Sequence, residues 1–149
     1  MPTDKFNPVL ADNRRARHDY AVLDTVECGI VLSGTEVKSA RRGGMSLAGS
    51  YAAVLGGELW LLGADIAAYA FGNRFNHEPK RRRKLLVHAR EVEGLRLKSE
   101  AKGLTLVPLR MYLKNGRVKL ALGVCRGKAQ HDKREALKAK AVRRDLERV

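Results

Sequence analysis

The sequence predicts a mainly β fold with flanking helices, a small antiparallel barrel rather than a parallel sheet. Three observations carry this. Short apolar runs of strand length recur along the chain, two pairs of them are joined by two-residue turns, and only one or two helical segments are interposed. The 149 residues, 44% apolar, suit one domain plus tails. Aromatics at 5% make the expected core mostly aliphatic.

Residues 1–12 hold two prolines and mixed polarity, and are expected to form a flexible N-terminal arm ahead of a folded unit spanning 13–128. Tyr20 to Leu32 is rich in Val, Leu, Ile and Thr and reads as a long strand, bent or bulged at Gly29. Ser33 with Glu36 three residues on is a capping box, opening a helix that Gly43 and Gly44 end after Arg42.

SYAAVL, Gly56-Gly57 and ELWLL then read as a hairpin whose turn tolerates positive φ. Residues 63–78 are irregular and carry Tyr69, Phe71 and Phe75. Pro79 and the run KRRRK follow, then a short strand from Leu85 to Val87. Ala89 to Lys102 reads as helix despite Gly94, which costs about 1 kcal/mol relative to Ala.

The second hairpin, LTLVPLRMYLK to RVKLALGV, turns on Asn115-Gly116, the dipeptide that type I′ geometry prefers. An unbroken register from that turn pairs Leu113 with Val118, Met111 with Leu120, Leu109 with Leu122 and Val107 with Val124, all on one face. The other face then carries Arg110, Tyr112, Lys114, Arg117 and Lys119.

Residues 129–149 form a basic tail. Asp132 and Glu135 can open a helix, but Val142, Leu146 and Val149 make only a thin apolar stripe, with seven Lys and Arg against four acids between Asp132 and Val149. Such a segment is expected to be disordered in isolation and to fold on a polyanion.

Thirty Lys and Arg against sixteen Asp and Glu, a net +14, point the same way. Nucleic acid is the leading partner class. An anionic membrane surface comes second, and no apolar run approaches the roughly 20 residues a span requires. The charge gathers in NRRARH (Asn13 to His18), KRRRK (Lys80 to Lys84) and the tail. A charge run is often just a solvated face. Three of them, with a basic hairpin face around Tyr112, suit a phosphate backbone with unstacked bases.

His18, His77, His88 and His131 stand in separate segments with nothing to converge them, so catalysis is not expected, and His77 in FNHEP reads as a loop-ordering hydrogen bonder. Cys28 and Cys125 lie far apart and outside any CxxC pair. Reduced thiols, no metal, no cofactor and a cytoplasmic setting are the expectation.

NRRARHDY, GIVLSGTEVKSAR, GNRFNHEP, RRKLLVH, GLTLVPL, KNGRVK and LGVCRGK running into HDKRE together resemble the SsrA-binding protein family, over nearly the whole chain. That family partners transfer-messenger RNA in bacterial ribosome rescue. The resemblance implies an oligonucleotide-binding (OB) type of barrel. It also implies binding to the tRNA-like domain of that RNA, delivery with elongation factor Tu, and a tail placed in the decoding centre and empty mRNA path.

Carried over by position, the RNA-contacting group is Asn13, Arg14, Arg15, Glu27, Leu86, Lys119, Gly127 and Lys128. The decoding-centre motif is His131, Asp132, Lys133 and Arg134. Two departures from the resemblance stand out: cysteines at 28 and 125, where small residues such as alanine are expected in relatives, and a tail shorter than in longer members. The expectation is a non-enzymatic RNA-binding adaptor. A generic RNA-binding barrel is the alternative, and an enzyme acting on RNA the third.

Overall fold

A computed structural model of the protein describes residues 9–70 and 76–127. Residues 1–8, Phe71, Phe75, Lys128 and the tail with His131, Asp132, Lys133 and Arg134 lie outside the described residues.

The elements run β1 (Val9–Asp12), α1 (Arg14–Asp19), β2 (Tyr20–Ile30), α2 (Gly34–Arg41), β3 (Met45–Ser46), β4 (Tyr51–Leu55), β5 (Glu58–Leu62), β6 (Asp65–Ile66), β7 (Arg83–Leu86), α3 (Ala89–Ala101), β8 (Thr105–Lys114) and β9 (Arg117–Gly127). Seven strands form one antiparallel sheet in the order β1-β8-β4-β5-β7-β2-β9. Because β8 also pairs with β9, the sheet closes on itself as a ring, with β1 alongside β8. This is the small antiparallel architecture the turn spacing predicts, and β3 with β6 adds a separate two-stranded ribbon.

Local chemistry explains most element ends. Asn115 (φ 52°) and Gly116 (φ 75°) both take positive φ, so the β8–β9 turn has the twist a hairpin needs. Ser33 and Glu36 form the reciprocal capping box at the start of α2, and α3 runs through Gly94. α3 turns Leu95 and Ser99 inward and leaves Arg96 outside, bridged to Glu93 and Glu100.

Three expectations need correction. The flexible arm does not extend to Asp12, because Val9–Asp12 is a strand whose residues pair with Arg110, Met111 and Tyr112 of β8. Its backbone groups find partners on an edge of β8 that β4 leaves open.

The register of the second hairpin holds from Lys114↔Arg117 to Arg110↔Ala121, then shifts by one residue, so that Pro108 faces Leu122 and Leu106 faces Val124. Pro108 has no N–H for the ladder, and the bulge falls beside it. Leu106 and Met111 therefore share the main core, while Val107 and Leu109 turn to the other side and pack with Ala16 and Cys125.

The irregularity in β2 lies between Val22 and Asp24 rather than at Gly29. Gly29 instead lies in close approach to β7. A Cβ there would stand 3.3 Å from Leu86 Cβ on β7.

The main core fills the ring with aliphatic side chains: Leu59, Leu61, Leu85, Leu106, Met111, Leu120 and Leu122 are each at most 2% exposed. Cys28 belongs to this core and Cys125 to the smaller cluster, both as free buried thiols. Burial pushes the Cys28 thiol up to about 12 and that of Cys125 to about 11, so both act as small apolar side chains.

At one edge of the core lies a buried ion pair, Glu36 with Arg83, both 0% exposed. Arg83 Nε donates to Glu36 Oε2 at 2.7 Å, its Nη1 to the Ala64 carbonyl at 2.8 Å and its Nη2 to the Pro79 carbonyl at 2.9 Å. Glu36 also accepts from the Ser33 N–H at 2.8 Å and from both Nε and Nη2 of Arg81. Burial alone would raise the Glu36 carboxyl, but the bonds from Arg81, Ser33 and Arg83 outweigh it and hold it below the usual carboxylate range.

Replacing Glu36 with Gln strands the Arg83 charge in the interior, an expected loss of about 3–5 kcal/mol in urea unfolding at neutral pH. The sign of the pH dependence follows from the depressed carboxyl. The contribution is fully present above the unfolded-state value of about 4.3 and disappears as pH falls through the folded-state value. The stability gap between wild type and Glu36→Gln should therefore close below about pH 4. A gap that persists there would show that the pair is not ionic.

Candidate nucleic-acid interface

Strand register brings together three of the residues singled out in sequence. Leu86 of β7 faces Gly29 of β2, Gly29 faces Lys119 of β9, Lys119 faces Tyr112 of β8, and Tyr112 faces Val9 of β1. One row therefore crosses five strands on the outward side, the side opposite Cys28 and Leu120. Glu27 sits two residues from Gly29 on the same face, across from Ala121. Leu86 is 49% exposed because the glycine beside it offers no side chain to cover it.

Glu27 is held in place. Tyr112 reaches over β9 and donates its hydroxyl to Glu27 Oε2, and Lys114 Nζ lies 3.3 Å from both carboxylate oxygens. The tyrosine hydrogen bond, with Lys114 and the charge of Lys119 behind it, keeps the Glu27 carboxyl below its ordinary value. Burial and that same carboxylate raise the Tyr112 phenol, so the phenol remains a donor. The Glu27 side chain is still 42% exposed, which leaves acceptor sites for a ligand.

A second basic group lies at the other end of β2. Tyr20 faces Gly127 there, nine residues from Gly29, about 30 Å along the strand at roughly 3.3 Å per residue. The short helix α1 presents Arg14 and Arg15, with side chains 93% and 80% exposed and only loose ion pairs to Asp12 and Asp19. Sequence reasoning missed α1, although Asn13 ahead of RRARH is a readable N-cap signal.

Asn13 lies inside the fold. It is 5% exposed, and both ends of its amide are engaged within the fold. Its Oδ1 accepts from the Ala16 N–H, and its Nδ2 donates to the carbonyls of Pro108 (2.8 Å) and Leu47 (3.3 Å). Asn13 holds α1 to the Pro108 bulge.

The KRRRK run is also less of a phosphate-binding cluster than its charge implies. Arg81 and Arg83 grip Glu36, the Arg82 guanidinium stacks over Trp60 at 4.4 Å, and Lys84 pairs with Glu58 at 3.0 Å. The strand's twofold alternation sends Arg83 inward and Lys84 outward, so one charge run is divided between two environments.

His77 does order its loop. Its ring nitrogens lie 2.9 Å from Thr35 Oγ1 and 2.8 Å from the Ile66 carbonyl. His18 lies against Asp19 and His88 precedes α3, so these three histidines do not share a site.

A family model described as "SmpB protein" matches residues 10–149. The SsrA-binding protein of Staphylococcus saprophyticus is 55% identical over 148 residues, covering 99% of this chain and 96% of its own. That of Staphylococcus aureus strain JH1 is 54% identical with the same coverage. A chain from a solved structure described as "tmRNA-SmpB: a journey to the center of the bacterial ribosome" superposes with a TM-score of 0.68 at 50% identity, covering 87% of this chain and 94% of that one. With a family match over nearly its whole length and relatives above half identity, this chain belongs to the SmpB family of SsrA-binding proteins.

Proposed function

We propose that the protein binds transfer-messenger RNA and acts with it in the rescue of stalled ribosomes. The observation that carries this is the outward row in which Leu86, Gly29, Lys119 and Tyr112 lie side by side with Glu27 at its flank. An apolar surface, a fixed carboxylate and an ammonium within one nucleotide's reach make a patch for structured RNA with an exposed base. The relatives' name and the ribosomal setting of the similar solved chain support the same reading.

In this reading Arg14 and Arg15, near Gly127, engage phosphates at the far end of β2, with Lys128 continuing from it. The tail acts separately. His131, Asp132, Lys133 and Arg134 enter the decoding centre, where a histidine can stack on a base and the cations neutralise rRNA phosphates, and the residues beyond follow the empty mRNA path. Elongation factor Tu takes part through the charged RNA and needs no surface of this protein. The protein does no chemistry of its own and works in the cytoplasm. No helix among the described residues is long and apolar enough to cross a membrane.

Electrostatic binding has a measurable signature. With about six phosphates neutralised, log K for the tRNA-like RNA should fall against log salt with a slope of roughly −4 to −5, and Lys119→Ala or Arg15→Ala should each make it shallower by about one. A salt-independent affinity would exclude backbone-dominated binding. Truncation after Gly127 separates the two halves of the reading. Affinity for the tRNA-like RNA should stay near wild type, while peptide tagging on stalled ribosomes is lost. Tagging by the truncated protein would remove the tail from the mechanism and leave a generic RNA-binding barrel.

A further inference from the structure

Asp12 is an acid set among guanidiniums at the junction of β1, α1 and β8. It is the cross-strand partner of Arg110, so the two side chains stand on the same outward face. Tyr112 is the next residue of β8 on that face, and α1 with Arg14 and Arg15 begins two residues after Asp12. An RNA that touches both the outward row and α1 therefore passes beside this carboxylate.

Three guanidiniums converge on it. Arg17 makes a two-point contact, with Nη2 3.0 Å from Oδ1 and Nη1 donating to Oδ2 at 3.3 Å. Arg110 Nε lies 3.8 Å from Oδ1, and Arg14 Nε lies 3.9 Å from Oδ2. The geometry is a poor source of stability. The Asp12 side chain is 28% exposed and that of Arg17 42%, so solvent screens their attraction. Arg110 Nε is buried without a hydrogen-bond acceptor among the described residues, since 3.8 Å is too long for Asp12 to serve as one.

The effect of such a carboxylate follows from the charge of the partner. A guanidinium already paired with an acid gains little from a phosphate, which must displace that acid or accept its repulsion. Guanidiniums left uncompensated grip any RNA, because phosphate contacts carry no sequence information. An acid that withholds some of them leaves a larger share of the affinity to contacts that only a correctly folded RNA completes.

We propose that Asp12 is a specificity-determining residue: it keeps Arg17 and Arg110 from RNA phosphates, so that an RNA lacking the recognised structure is held weakly. Arg14, with its side chain 93% exposed and the longest of the three contacts, stays available. The inference rests on the RNA-binding reading above and adds a repulsive element to it.

The test measures binding of full-length wild type and Asp12→Asn to two RNAs across a salt series. One is the tRNA-like domain of transfer-messenger RNA, and the other is poly(U), which has no fixed structure. Asparagine keeps the size of the side chain and removes its charge. With two guanidiniums released, the slope of log K against log salt for poly(U) should steepen by about 1.4, roughly 0.7 for each phosphate neutralised on a single strand. At about 0.1 M salt poly(U) should bind about tenfold more tightly. The tRNA-like RNA, whose phosphates are fixed by its fold, should gain no more than about twofold.

A second substitution checks which arginine is withheld. Arg17→Gln in the otherwise wild-type protein should leave the poly(U) slope unchanged, whereas in Asp12→Asn it should make the slope shallower by about 0.7. A drop of that size in the wild-type background would mean that Arg17 already meets RNA, and would overturn the proposal. So would three outcomes for Asp12→Asn: weaker binding of both RNAs, which marks a structural role; unchanged binding of poly(U); or an equal gain for both RNAs, which marks an effect on affinity without selectivity. A wild-type protein with no preference for the tRNA-like RNA over poly(U) would overturn the functional reading, and this inference with it.

Discussion

The contact on which the architecture turns is the buried pair of Glu36 and Arg83. Glu36 belongs to the first turn of α2 and Arg83 opens β7, forty-seven residues later. Between them Arg83 also gathers the carbonyls of Ala64 and Pro79, so a single guanidinium ties together the helix, the end of β5's connection and the loop before its own strand. A buried charge pair is not in itself a strong source of stability, since desolvation takes back much of the attraction. Its consequence is geometric. With Arg83 fixed inward, the twofold period of a strand sends Leu85 into the core and Lys84 and Leu86 outward. A slip of one residue would bury Leu86 and expose Leu85, and the outward row would lose its apolar end.

The charge of the chain therefore divides by role rather than by sequence cluster. Arg81 and Arg83 hold the fold, Arg82 covers Trp60, and Lys84 answers Glu58. Asp12 draws Arg17 and Arg110 toward the start of α1. The residues left facing a ligand are fewer than a net +14 implies, and they lie where the backbone places them: Lys119 by β9 register, Arg14 and Arg15 by α1. Affinity can then come from the excess of charge while selectivity comes from a small number of positioned groups, which is how phosphate and base contacts divide their work.

Much of this was legible in the chain. The Ser33–Glu36 capping box, the Asn115-Gly116 turn and the helix from Ala89 are local signals, and local chemistry decides them. The bulge at Pro108 was also written in the sequence, but the alternation of Val107, Leu109, Met111 and Leu113 gives a more uniform pattern that outweighs one proline when the strand is read alone. Burial of Arg83 was not legible, because a charge run in sequence says nothing of which side chain meets an interior carboxylate forty-seven residues earlier. Glu27 looked like an ordinary strand carboxylate for the same reason. Its partner Tyr112 is brought to it by strand pairing, over an intervening strand.

Asn13 ties the placement of α1 to the core. Its carboxamide caps α1 through the Ala16 N–H and bonds the Pro108 carbonyl, and its backbone N–H bonds the Leu109 carbonyl at 2.8 Å. The bulge that the proline imposes is therefore the feature to which Asn13 attaches. Ala16 then packs with Cys125 of β9 and with Val107 and Leu109, which face α1 because the bulge reversed them. Removing the Asn13 amide would free a helix of six residues, too short to hold itself in water. Arg14 and Arg15 would lose their placement together. A defect in RNA binding at Asn13 thus needs no lost contact with RNA: proline, bulge, cap and helix form one mechanical path from the core to two exposed guanidiniums.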